Sequence, residues 1–115
     1  MIEVAIKELN SLGIFVAPFF VEEEQFIKNN RESIIYEYSN KSKNNFILYI
    51  KVISNSLIRC LEIDDLIKDK FISNSDKTKI SGFTCIKYEG GEAIRDIENN
   101  CIQLFLSLSF FFKGE

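Results

Sequence analysis

Residues 101–112 read Cys-Ile-Gln-Leu-Phe-Leu-Ser-Leu-Ser-Phe-Phe-Phe, the most apolar run of the chain, and its periodicity decides the fold. Taken with the residues before it, the run fits one helical stripe. Ala93, Ile94, Ile97, Cys101, Leu104, Phe105, Leu108 and Phe112 share a face, and Arg95, Asp96, Glu98, Asn99 and Asn100 fill the rest of the first turns. From Ile102 onward, however, Ile102, Leu104, Leu106, Leu108, Phe110 and Phe112 also alternate as strand residues do. We read one long C-terminal helix, with a helix ending near Asn100 and a final strand as the alternative. Gln103, Ser107 and Ser109 interrupt the run, which is too short and too polar to span a bilayer needing about 20 apolar residues.

Working outward, Phe46 to Ile53 is apolar apart from Lys51, the pattern of a strand covered on both faces near a sheet centre. Ser33 to Tyr38 is a second strand, rich in β-branched and aromatic residues, with Tyr36 and Tyr38 sharing a face with Ile34 for cross-strand packing. Leu57 to Ile63 alternates, and the short Ser54-Asn55-Ser56 link suggests a hairpin. Asp64-Asp65 then caps a short helix running to about Ile72. Lys79 to Tyr88 reads as another strand with Gly82 as a bulge.

Near the start, Ile2, Ala5, Ile6, Leu9 and Leu12 recur at helical spacing, and Gly13 follows as the C′ residue. Ile14 to Val21 carries Pro18, which cannot donate to a ladder, so it is an edge strand or an extended connection. Glu22 to Asn29 suits a short helix with three glutamates in its first turn. Asn40 to Asn45, Ser73 to Lys77 and Glu89-Gly90-Gly91 read as loops.

These elements give a single α/β (α+β) domain over residues 1–115. Its mostly antiparallel sheet of about four or five strands is flanked by an N-terminal helix, a short middle helix and a C-terminal helix. A chain of 115 residues, 46 % hydrophobic, buries a core without metal or disulfide staples. The three cysteines, Cys60, Cys85 and Cys101, form no CxxC pair and have apolar neighbours, which suits buried reduced thiols. Met1 leads at once into Ile2-Glu3-Val4 with no basic start, so a cytoplasmic location is the expectation. Ile, Lys, Asn and Phe are abundant, a bias that an AT-rich gene explains, so Lys-over-Arg carries no weight.

The chain has no histidine, which removes the commonest general base and neutral metal ligand, and with them Ser-His-Asp and Cys-His catalysis in their usual forms. The cysteine spacings match no zinc ribbon or knuckle. No dinucleotide-binding or P-loop glycine pattern occurs, and Glu89 and Glu92 flank Gly90-Gly91 with charge that would repel phosphate. No cofactor is expected. Carboxylates are the plausible catalytic groups that remain, and Glu62, Asp64 and Asp65, with Lys68 one turn on, would suit a Mg²⁺-dependent hydrolase or nuclease. Helix capping is the simpler role for Asp64-Asp65. Lys near Tyr at Tyr49-Ile50-Lys51 and Lys87-Tyr88 is a weak nucleic-acid signal, and a small nucleic-acid or ligand-binding module is a third alternative.

Charge is the more informative pattern. Residues 1–40 carry a net −4, residues 41–88 a net +4 and residues 89–115 a net −3. Solvated faces of amphipathic elements account for this most simply; the functional reading is that acidic elements dock a basic partner. A compact, acidic, motif-free chain is suited to inhibiting another protein. In size, acidity and composition bias it looks like the bacterial immunity proteins, which neutralise nuclease-type toxins, although no shared motif carries that likeness. The candidate partner-binding residues are Glu22, Glu23, Glu24, Glu32 and Glu37, and the expected partner is a protein with a basic surface, such as a toxin domain.

Overall fold

The computed structural model describes residues 2–19, 32–72, 82–97 and 100–112. Helix α1 (Ile2–Asn10) leads through Gly13, at φ 79°, into strand β1 (Phe15–Pro18). That positive φ suits glycine; the helix itself ends at Asn10, so Gly13 turns the chain three residues later and is not the C′ residue that the sequence suggests. Strands β2 (Ser33–Ser42) and β3 (Asn45–Ser54) form a hairpin, helix α2 spans Leu57–Phe71, and β4 (Cys85–Asp96) and β5 (Cys101–Phe111) form a second hairpin. One five-stranded sheet results, in the order β1-β2-β3-β5-β4, antiparallel except where the edge strand β1 runs parallel to β2.

The sheet replaces the expected C-terminal helix. Residues 101–111 are strand β5, inserted between β3 and β4. Period two wins because it buries Leu104, Leu106, Leu108 and Phe110 together in the core beneath α2, while Gln103, Phe105, Ser107 and Ser109 take the other face. A helix would have put Phe110 on the same side as Gln103 and Ser107. Asn100, at φ 51°, turns the chain between β4 and β5; asparagine tolerates this left-handed region better than most residues.

A second correction concerns residues 57–63, which are helix rather than hairpin strand. Ser56 is the N-cap: its Oγ accepts from the Arg59 backbone N–H at 3.3 Å, and the Ser54 Oγ accepts from the Ser56 N–H at 3.2 Å. The serines that suggested a turn therefore start a helix. Cys60, Ile63, Asp64, Ile67 and Phe71 then face inward at helical spacing, and Asp64-Asp65 lie mid-helix rather than at its cap. Strand β4 begins later than expected and absorbs Glu89-Gly90-Gly91, with a bulge between Gly90 and Ala93; Gly82 precedes the strand, at φ 102°. Residues 40–45 turn at 43–44 between two long strands. The expected helix at 22–29 and loop at 73–77 lie outside the described residues.

Both helices pack on one face of the sheet. The core there includes Ala5 and Leu9 of α1, the inward residues of α2, and Ile34, Leu48, Ile50 and Val52 of the sheet. At one end Phe110, fully buried, stacks on Phe46 at 4.7 Å between centroids and meets Phe71 edge-on at 5.6 Å. Lys70 reaches Glu8 at 3.6 Å, linking the two helices. Strand β3 is central, as its composition implies, but covered on both faces only in part. The face away from the helices holds a small cluster of Ala17, Ile35, Ile53 and Cys101, beyond which Tyr49 is 40 % exposed.

Candidate functional site

That second face carries a groove of about 560 Å³. Two cross-strand rows form its floor. In the first, Glu37 of β2 pairs with Tyr49 of β3, Tyr49 with Ser107 of β5, and Ser107 with Glu89 of β4. In the second, Ile35 pairs with Lys51 and Lys51 with Phe105. Side chains on alternate residues of a strand share a face, so these registers bring together residues up to 70 positions apart in the chain.

The walls follow from local structure. Phe19, 58 % exposed, is held at the end of β1 by its N–H donating to the Tyr36 carbonyl at 2.8 Å, and closes one side. On the other side, the β4 bulge brings Gly91 against β5. A Cβ there would lie 2.5 Å from the Phe105 carbonyl oxygen, so only glycine fits this approach. Lys51 Nζ lies 5.7 Å from the Phe105 ring centroid, a cation–π distance. Glu37 and Glu89 are exposed, and among the described residues neither has an ion pair or a side-chain hydrogen bond. The groove thus has an aromatic floor with a carboxylate at each end of one row.

Of the glutamates singled out in the sequence, Glu37 lies in this groove. Glu32 is engaged elsewhere: it accepts from the Arg59 guanidinium, which also reaches Glu62 at 3.5 Å, and so ties the start of β2 to the first turn of α2. Glu22, Glu23 and Glu24 lie outside the described residues. Tyr49, Glu89, Phe105 and Ser107 were missed as a set, because only strand periodicity in 101–111 would have aligned them.

The carboxylate cluster on α2 does not converge. Glu62 and Asp64 are two positions apart, about 200° around a helix, and point away from each other. Glu62 turns to Arg59, Asp65 is exposed, and Asp64 is 7 % exposed beneath β4. No group of three His, Cys, Asp or Glu side chains arranged to hold a metal occurs among the described residues. Asp64 instead accepts from the Tyr88 hydroxyl, at 2.8 Å and 3.0 Å to its two oxygens, and pairs with Lys68 Nζ at 3.2 Å. The Lys68 ammonium also lies 4.5 Å from the Tyr88 ring centroid. Burial, then the Asp64 carboxylate, pushes the Tyr88 hydroxyl above its ordinary pKa. For Lys68, burial acts against the charge, but Asp64 and Tyr88 together outweigh it and raise the pKa. This is a polar clamp between α2 and β4.

No disulfide joins the three cysteines; Cys60 and Cys101 are buried and Cys85 is half-buried. Burial raises the Cys60 thiol, which donates weakly to the Ile102 carbonyl at 3.7 Å, so it is a packing residue rather than a nucleophile. Among the described residues no helix is long and apolar enough to cross a membrane.

No protein-family model matches the chain, and a comparison with the curated proteins returns no match.

Proposed function

We propose that this chain is a protein-binding inhibitor of the immunity type, acting in the cytoplasm on a nuclease-type toxin domain whose contact surface is basic. The observation that carries the reading is the first row of the groove, where Glu37 and Glu89, without an ion pair or side-chain hydrogen bond among the described residues, stand on either side of an exposed tyrosine. Tyrosine and phenylalanine supply rigid apolar contact area, and carboxylates beside them favour a cationic partner. The same carboxylates would repel the phosphates of a nucleic acid. Such a protein inhibits by covering a surface, so it needs a stiff scaffold and no catalytic group. A broad sheet backed by α1 and α2 supplies one.

The test uses the product of the reading frame adjacent to this gene. The purified chain is titrated with it, and the pair is co-expressed to read growth protection. A tight complex with protection is expected. The double variant E37K/E89K should associate at least tenfold more slowly at low salt, with a dissociation rate close to that of the parent, as expected for charges that steer an encounter. No complex, or a variant that associates like the parent, would refute the reading.

A further inference from the structure

We infer that the groove reads an extended basic segment of the partner, laid across the strands, with two cationic side chains four residues apart and an uncharged residue midway between them. The inference deepens the protein-binding reading and rests on it.

The spacing comes from the sheet. Glu37 and Glu89 belong to β2 and β4, the outer members of the four neighbouring strands β2-β3-β5-β4. Three interstrand steps of about 4.8 Å separate them by roughly 14 Å. In an extended chain, side chains on one side recur every second residue, at about 3.4 Å per residue. Positions i and i+4 therefore lie on one side and about 14 Å apart; a two-residue spacing reaches about half of that, and a six-residue spacing exceeds it by about 7 Å.

The floor between the carboxylates sets the middle position. Ser107 and Gly91 keep it low on the β5–β4 side, so an extended backbone can lie close to the sheet. Tyr49 offers its ring beside that path, and Lys51, over Phe105, stands in the adjoining row. The midway position faces the Tyr49 ring and Ser107, with Phe105 in the adjoining row, so an uncharged residue fits there. An acidic segment is excluded at both ends. The second copy of this chain is a poor occupant as well, because the groove would meet another acid-flanked surface.

The experiment measures binding of nine-residue capped peptides to the full chain at low salt by fluorescence anisotropy. Each peptide carries two lysines, spaced by two, three, four or six residues, with a leucine between them. The four-residue spacing should bind about three- to fivefold more tightly than the others, the difference expected when one of two surface ion pairs is lost. Lysine in place of the central leucine should cancel that gain. E37K/E89K should instead prefer the same peptide with glutamates at the two positions. E37Q, whose thermal melt reports folding, should lose the spacing preference.

Equal binding across the spacings would overturn the inference. So would equally tight binding of a linear diamine of the same span, since no peptide backbone would then be read, or a dimer of the chain that competes with the peptides. If the toxin binds in a Glu37- and Glu89-dependent manner while the spacings bind alike, this inference fails and the protein-binding reading stands. A spacing preference without a toxin complex gives the opposite result.

Discussion

The polar clamp between α2 and β4 predicts a measurable coupling. Tyr88→Phe removes one hydroxyl and keeps the ring beneath Lys68. The lost bond is charge-assisted and runs to a carboxylate on a residue only 7 % exposed. Such bonds contribute about 1.5–3 kcal/mol, and because Tyr88 is itself half-buried the lower half of that range applies, about 2 kcal/mol. For a chain of 115 residues this lowers Tm by roughly 8 °C, at about 4 °C per kcal/mol. Asp64→Asn keeps a carbonyl acceptor but loses the charge, which roughly halves the bond. It also loses the ion pair to Lys68, a smaller effect because that side chain is 42 % exposed to solvent. The double variant should therefore lose about 1 kcal/mol less than the sum of the single variants. Urea unfolding followed by circular dichroism gives all four stabilities. A loss below about 0.5 kcal/mol for Tyr88→Phe, or strict additivity, would show that the hydroxyl–carboxylate bond does not hold α2 to β4.

Other outcomes follow from the same structure. The Tyr88 pKa is raised in the folded state, so its contribution is fully present below the unfolded tyrosine value of about 10 and is lost as pH rises through the folded value. Stability should therefore fall in that alkaline window, and the fall should be shallower in Tyr88→Phe. Phe110→Ala removes a fully buried ring that contacts Phe46, Phe71 and Phe83. It should cost about 3–5 kcal/mol by denaturant titration, and a loss under about 1 kcal/mol would contradict the packing. Gly91→Ala forces a Cβ against the Phe105 backbone and should destabilise by about 1–3 kcal/mol. Gly90→Ala meets the Tyr88 hydroxyl at 3.1 Å, a looser contact than the backbone one at Gly91, and should be milder; equal effects would be inconsistent with the bulge geometry. A thiol reagent should modify Cys85 first, with Cys60 and Cys101 reacting only as the chain unfolds.

Much of the scaffold is legible locally. The stripe from Ile2 to Leu12, the Pro18 edge strand, and the strands at 33–38 and 46–53 need only periodicity and backbone preference, because each buries its apolar side whatever its neighbours are. Where local patterns compete, the sequence is silent. Residues 57–63 alternate like a strand yet also place Cys60, Ile63 and Ile67 on one helical face, and the Ser56 cap together with an apolar sheet surface beneath selects the helix. Residues 101–111 satisfy both periods, and the decision belongs to β3 and β4, whose free edges supply hydrogen-bond partners on both sides of β5.

The site shows the same division. Composition and the order of charges determined that histidine chemistry is absent and that the ends of the chain are acidic. Only the tertiary structure placed Glu37 in one row with Tyr49, Ser107 and Glu89, because register between strands is set by pairing across the sheet and not by any spacing along the chain. It also separated Glu62 from Asp64, since a helix turns adjacent acids away from one another where a strand end would have gathered them. The run at 101–112 is where both statements meet: its residues fixed how apolar that segment is, and the partners on either side fixed its period.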